Sequence, residues 1–358
     1  MSVRFVVGRA GSGKTLRCLE AIRARLREDP VGGSRLLLLV PEQASFQMER
    51  ALIETPDLAG FTRCQVLSFQ RLAYRIFTDT GADPRRSDQT IGSLGRLMLL
   101  RRIIRQQRPH LMLLGGVADK PGLIRGLSAA IDELMRANAT PEQVAEVLEQ
   151  RCPDQPIVAA RIADLTRIYR AYLDYLAADR LDPAQYLTLA AERADQCGWL
   201  DGAEVWVDGF AGFTGQELDL LTAVARRAAT VEITMLLDPA ASAVTALELP
   251  ELSFSLFRRT EHTLVRLRQH FTAAGVPIDE PVRLRETHFR SPLLTQLEAH
   301  LFRSKGEPVR PDGSVRILSL PDRRAEVEAA AAEIQRLVRT SDPPLRYRDI
   351  AIIVRDLE

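Results

Sequence analysis

The chain has 358 residues, a net charge of +1 and 46% hydrophobic residues. This length exceeds that of one ordinary domain, and the composition is typical of globular proteins, which argues against a disordered chain. The near-neutral charge argues against nucleic-acid binding through bulk charge but leaves a local basic groove open. The four cysteines show no C-x-x-C spacing, so no zinc or redox motif is present. No apolar run approaches the roughly twenty residues of a membrane helix, so we expect a cytoplasmic protein with no membrane partner.

The first motif lies between a strand and a helix. An apolar run at residues 3–7 predicts a buried strand, and the spacing of residues 15–27 predicts a helix with Leu16, Leu19, Ile22 and Leu26 on one face. The residues at this junction are Gly8, Arg9, Ala10, Gly11, Ser12, Gly13, Lys14 and Thr15. Strand, glycine-rich loop and helix together are the setting of a phosphate-binding loop. We predict ATP binding here, with Lys14 reaching the phosphates and Thr15 ligating Mg²⁺.

Later segments predict the domain organisation. Strands at 36–40, 65–67, 205–207 and 231–236 alternate with helical segments, which indicates an α/β fold with a parallel, doubly wound sheet. Residues 90–197 show only helical periodicity. We therefore predict a discontinuous α/β domain at 1–85 and 199–305, with an all-helical insertion at 86–198. A strand at 315–318, a helix at 325–338 and a strand at 350–354 predict that 306–358 begin a second α/β domain that is cut short.

The second half of a nucleotide site is expected after the strand at 205–207. Asp208 follows this strand directly, as a second Mg²⁺ ligand would. Hydrolysing enzymes of this kind usually carry Glu next, as the base that orients water, but this chain has Gly209. Glu217 and Asp219 are possible substitutes, although we favour the interpretation that they are solvated helix positions. Asp208 is therefore a candidate for metal binding and catalysis in a degenerate hydrolysis site.

Several motifs resemble those of superfamily 1 helicases. The segments V-P-E-Q-A-S-F-Q and V-L-S-F-Q-R-L resemble DNA-contacting motifs, which marks these DNA-binding candidates: Pro41, Glu42, Gln43, Ser68 and Phe69. Phe69 has two open interpretations: a ring that stacks on a base, or a core aromatic that anchors the next helix with Leu72 and Phe77. The run His288-Phe289-Arg290-Ser291 resembles a helicase motif whose arginine reaches the γ-phosphate, so Arg290 is a second catalytic candidate.

The motifs in combination resemble the AddB subunits of bacterial AddAB helicase–nucleases. The resemblance implies a RecA-like P-loop NTPase fold of the superfamily 1 helicase type, with ATP and Mg²⁺ as cofactors. It also implies single- and double-stranded DNA and an AddA-type motor subunit as partners, with a role in break processing and Chi recognition. In such proteins a nuclease domain and an iron–sulfur cluster belong to a C-terminal region that this sequence does not include. Two alternatives remain open: an active superfamily 1 DNA helicase and a small-molecule kinase with a phosphate loop.

Overall fold

The computed structural model describes residues 1–56, 58–81, 90–151, 155–177, 180–249, 254–301 and 308–355. The chain divides into two compact units, Met1–His288 and Phe289–Glu358. The predicted domain boundaries at 85/86 and 305/306 fall outside the described residues.

One parallel sheet organises the first unit. Its strands are β1 (Ser2–Gly8), β2 (Leu36–Leu39), β3 (Cys64–Leu67), β4 (Glu204–Val207), β5 (Thr230–Leu236) and β6 (Val282–Leu284). Within the described residues the sheet has six strands in the order β3-β2-β4-β5-β1-β6, and each pair is parallel. The predicted parallel α/β sheet is therefore confirmed.

Besides the sheet, the described part of the first unit contains α-helices. In chain order they are α1 (Lys14–Glu28), α2 (Ser45–Ile53), α3 (Phe69–Asp79), α4 (Ser93–Gln107), α5 (Pro121–Arg136), α6 (Pro141–Arg151), α7 (Pro156–Leu176), α8 (Tyr186–Arg193), α9 (Gly215–Ala225) and α10 (Arg258–Ala273). Leu36 and Leu38 pack with α1 and α2, whereas Leu37 and Leu39 pack with the side of α3, α8, α9 and α10. Successive strand residues point to opposite faces, so a sheet buried on both faces needs the continuous leucine run of β2.

The buried face of α1 differs slightly from the prediction. Leu19, Ile22 and Leu26 are buried as expected, but Leu16 is 55% exposed and Cys18 is buried in its place. Leu16 lies in the first turn of the helix, beside the glycine-rich loop, where the sheet does not cover it. None of the described helices combines the length and apolarity that crossing a membrane requires.

The predicted helical insertion contains a core of its own. Side chains from α4, α5 and α7 form a cluster that includes Leu100, Ile131 and Tyr172, separate from the two clusters that flank the sheet. Asp164, 1% exposed, accepts backbone N–H groups from Met112, Leu113 and Leu114, each at 2.8 Å, and so fixes the loop after α4. By contrast, α8 packs in the hydrophobic cluster that α3, α9 and α10 also form against one face of the sheet.

The second unit contains α11 (Pro292–His300) and α12 (Arg323–Thr340). The predicted helix at 325–338 is confirmed, but the predicted strands at 315–318 and 350–354 are wrong, because neither segment forms a strand. Ile317 is 93% exposed and Ile353 is 94% exposed. A parallel strand is stable when neighbouring strands pair with its backbone groups and a covering layer buries its side chains. An apolar run alone supplies neither.

Candidate nucleotide and nucleic-acid site

The glycine-rich loop joins β1 to α1 through left-handed backbone. Gly11 has φ of 72° and Gly13, the N-cap of α1, has φ of 81°, a region in which other residues are strained. A Cβ on Gly8 would lie 2.3 Å from the Ser12 hydroxyl, so the loop also needs a glycine there. The first N–H groups of a helix have no partner within the helix. The loop therefore presents backbone donors and the positive end of a helix dipole at one point.

Lys14 lies across this loop. Its Nζ donates to the carbonyl oxygens of Gly8 at 2.9 Å and Arg9 at 2.8 Å, and it lies 3.5 Å from the Ser12 hydroxyl. These contacts hold the ammonium group over the concave side of the loop. A compact positive charge at the start of a helix is suited to a phosphate group.

Thr15 and Asp208 come together although the sequence separates them. The Thr15 hydroxyl donates to Asp208 Oδ2 at 2.7 Å, and the Thr234 hydroxyl donates to Oδ1 of the same carboxylate. Asp208 is 5% exposed, and its backbone N–H donates to the Leu39 carbonyl at 2.9 Å. The carboxylate is thus fixed in orientation beside the hydroxyl at the start of α1.

The neighbouring residues hold the loop from its other side. Arg9 pairs with Asp238 at 3.4 Å, and its guanidinium lies 5.3 Å from the centre of the Phe257 ring. The His288 N–H donates to the Gly11 carbonyl at 2.9 Å, and its ring lies next to Gly13. The first residue of the predicted H-F-R-S motif therefore contacts the glycine-rich loop.

Gly209 has a conformational role as well as lacking a carboxylate. Its φ is 82°, and a Cβ there would lie 3.4 Å from Pro41 Cδ. Glu217 and Thr214 form a capping box at the start of α9, in which each side chain accepts the other's backbone N–H. Asp219 contacts Asn138. Both carboxylates are half-buried helix positions with local partners on α9 or beside it.

A groove of about 940 Å³ lies at the carboxyl ends of β2 and β3. It contains all the predicted DNA contacts: Pro41, Glu42, Gln43, Ser68 and Phe69. The opposite wall is formed by α4 and α5, from the helical region. Parallel α/β proteins bind ligands at this edge of the sheet, so the position fits a binding groove.

Phe69 is a core residue. It is 3% exposed and packs edge-on against Phe210 and Phe213, at centroid distances of 5.4 and 6.0 Å. Leu72 and Phe77 are buried beside it on α3, so the anchoring interpretation explains Phe69 and base stacking does not. Ser68, 6% exposed, caps α3 by accepting the Arg71 N–H.

Phe210, like Tyr74, is an aromatic residue that presents surface to the groove. It is half-buried, lines the groove and stacks on Phe213 at 5.2 Å. Sequence reasoning missed it, although Phe210 follows β4 as Phe69 follows β3. It also missed Thr234, which the register Val207↔Ile233 places beside Asp208.

The charges that line the groove are largely paired with one another. Arg96 contacts Asp132 at 3.0 Å and Asp182 at 3.4 Å, and Arg136 contacts Asp132 at 2.7 Å. Asp182, 2% exposed, also accepts the hydroxyl of Tyr172, and burial raises the pKa of that tyrosine. The groove is therefore polar but has no excess of positive charge along this wall.

Arg290 lies in the second unit, directly before α11. It is exposed, and the next residue, Ser291, caps α11 by accepting the Leu294 N–H. Ser291 also donates to Asp312, and hydrogen bonds from Ser291 and Ser314 hold the pKa of Asp312 at about 2. Arg290 thus starts a locally fixed turn, and its catalytic role stays a prediction.

The fold and the site define an α/β protein with a glycine-rich loop between β1 and α1 and a groove at the edge of a parallel sheet. The family described as ADDB, N-terminal matches residues 5–298, and the chain belongs to this family. It is 42% identical to the ATP-dependent helicase/deoxyribonuclease B subunit of Moorella thermoacetica, over 100% of this chain and 31% of that protein. It is 40% identical to the protein of the same name from Desulforudis audaxviator, over 100% of this chain and 30% of that protein. The predicted resemblance is confirmed, and the chain spans less than a third of these relatives.

Proposed function

We propose that this chain is the nucleotide- and strand-binding part of an AddB-type subunit of a helicase–deoxyribonuclease, with a RecA-like P-loop NTPase fold. One observation carries the proposal: Lys14, Thr15 and Asp208, separated in sequence, meet at the glycine-rich loop. The names of the relatives, which denote one component of a helicase and deoxyribonuclease, support a role in DNA processing.

Different groups at the loop would bind the phosphates of ATP and the Mg²⁺ ion. Backbone N–H groups from Gly11 to Thr15 and the Lys14 ammonium would bind the phosphates, because each is a donor at the same concave surface. Thr15 and Asp208 would hold Mg²⁺, which neutralises phosphate charge when bound. A hydroxyl beside a fixed carboxylate suits an ion that keeps most of its water shell. Metal ions held by side chains alone need more ligands, and the described residues contain no group of three His, Cys, Asp or Glu placed to bind one.

Hydrolysis would be weak or absent. Gly209 offers no side chain to orient a water molecule, and the nearby Glu217 is engaged in capping α9. Nucleotide would therefore act as a bound ligand that stabilises this part of the protein. The motor activity of the complex would come from a partner of the AddA type.

The groove would hold single-stranded DNA. Its predicted contacts lie together, and Phe210 offers a half-exposed ring on which a base can stack. Only Gly209 separates Asp208, which contacts Thr15, from Phe210, which lines the groove. A conformational change at the bound nucleotide would be transmitted to the bound DNA through this one turn. Such a coupled groove suits a scaffold that reads a recombination signal such as Chi beside an active motor.

Nucleotide binding is tested by titrating the chain with a fluorescent ATP analogue in the presence of Mg²⁺. Lys14→Ala should weaken binding at least about tenfold, because a hydrogen bond to a charged group contributes roughly 1.5–3 kcal/mol. Lys120→Ala, which removes an exposed lysine before α5, is the matched control and should bind as the wild type does. Equal binding by wild type and Lys14→Ala would refute the proposed nucleotide site.

Strand binding is tested with a labelled oligothymidine. Phe210→Ala should weaken binding by about 1–3 kcal/mol if one base stacks on the ring. Phe46→Ala is the control, since Phe46 is 72% exposed and does not line the groove. Unchanged binding by Phe210→Ala would remove the groove from the proposed function.

A further inference from the structure

The exposed face of α10 carries a row of basic side chains beside a small pocket. Arg259, His262 and Arg266 lie three and four residues apart, so they share one face of the helix. They line a pocket of about 400 Å³ together with Thr214 and Glu217 from the start of α9. This basic pocket is not part of the nucleotide site or of the groove described above.

The positive charge of the basic pocket is not neutralised locally. Within the described residues, the side chains of Arg259 and His262 make no ion pair or hydrogen bond. Among those residues, the hydrogen bonding of Arg266 is limited to one weak bond, from Nη1 to the Phe213 carbonyl at 3.5 Å. The single carboxylate of the pocket, Glu217, accepts the N–H and the hydroxyl of Thr214 at 2.8 and 3.1 Å. The guanidinium groups are therefore available to an anion.

The basic pocket adjoins the groove. Thr214 and Glu217 line both cavities, so a chain leaving the groove at this point meets α10. Among the described arginines that line the groove, Arg96 and Arg136 are already paired with Asp132, so Arg125 is left as the groove's main charge for phosphates. A polyanion lying in the groove would gain its counter-charge at the next cavity.

We propose that Arg259, His262 and Arg266 bind the backbone phosphates of the single strand where it leaves the groove. Guanidinium groups bind phosphate in a bidentate way, which favours phosphate over a diffuse anionic surface. Arg259 and Arg266 lie two helical turns apart, about 10 Å along the axis, so the row can contact more than one phosphate. The proposal rests on the groove holding DNA, and it adds the element that supplies the electrostatic part of that binding.

The test measures how oligothymidine affinity depends on salt. Each phosphate neutralised on a single strand contributes a slope of about −0.7 to a plot of log K against log salt concentration. Arg259→Gln with Arg266→Gln should therefore make the slope shallower by about 1.4. Arg259→Lys with Arg266→Lys keeps both charges and should keep most of the slope. Arg27→Gln with Arg161→Gln is the control, since both arginines are exposed and neither lines a cavity named here.

The outcomes separate this inference from the proposed function. A shallower slope in the glutamine pair alone supports the basic pocket. A wild-type slope in that pair, with normal binding by the wild-type chain, overturns the pocket and leaves the groove in place. An equally reduced slope in the lysine and glutamine double variants overturns the assignment of the binding to positive charge. Failure of the wild-type chain to bind any oligothymidine overturns the groove and the pocket together.

Discussion

Gly209→Ala tests whether the residue after Asp208 is fixed by backbone conformation. Gly209 has φ of 82°, and the new Cβ would contact Pro41 Cδ at 3.4 Å, which is an ordinary van der Waals distance. The cost is therefore conformational, and left-handed backbone costs an L-residue about 1–2 kcal/mol. Loss of unfolded-state freedom offsets about 0.4–1 kcal/mol of this. We expect a net loss of about 1 kcal/mol in the free energy of unfolding.

The assay is urea unfolding followed by tryptophan fluorescence. Trp199 and Trp206, 3% and 6% exposed, report on the core next to β4. Gly126→Ala is the control, because Gly126 lies inside α5 with nothing within 4 Å of a new Cβ. It should be more stable by about 0.5–1 kcal/mol, as alanine is favoured over glycine within a helix. If Gly209→Ala is as stable as the wild type while Gly126→Ala gains stability, the backbone argument is wrong.

Further predictions concern buried groups. Asp164→Ala should lower the free energy of unfolding by at least about 2 kcal/mol, because it leaves three backbone N–H groups near the helical core without their acceptor. Urea unfolding measures this loss, and a loss below about 0.5 kcal/mol, close to the noise of such measurements, would contradict the prediction. Burial raises the pKa of Cys64 from 9.0 to about 12, so its thiol should resist a disulfide reagent at pH 8 until urea is added. Because the native state holds this proton more tightly, the contribution of Cys64 to the free energy of unfolding is fully present below pH 9 and should fall as pH rises from about 9 to 12. Rapid labelling of native Cys64 at pH 8 would contradict the predicted protection of the thiol.

The sequence predicted the sheet well because the signals were local. The five predicted strands of the first unit are mainly apolar runs that a glycine, proline or polar residue ends, and the glycine-rich loop requires a strand before it and a helix after it. The short strand β6, with Arg283 at its centre, was not predicted. A capping box joins Thr140 and Gln143 at the start of α6, and it too depends on four consecutive residues.

The misses arose where packing between distant segments decides the outcome. Both Phe69 and Phe210 follow strand ends, and only the packed core shows that Phe69 is covered while Phe210 faces the groove. The apolar runs at 315–318 and 350–354 carry a strand signal, but pairing and a covering layer are not local properties. The contact between Thr15 and Asp208 was expected from motifs, whereas the Thr234 contact followed from strand register.

The most direct test of the central claim is ATP turnover by the chain with saturating single-stranded DNA. Because Gly209 supplies no base beside the proposed nucleotide site, we predict bound nucleotide and no turnover above that of Lys14→Ala. DNA-stimulated turnover of about 1 s⁻¹ or faster, within the ordinary enzyme range, that Lys14→Ala abolishes would contradict it and identify an active motor.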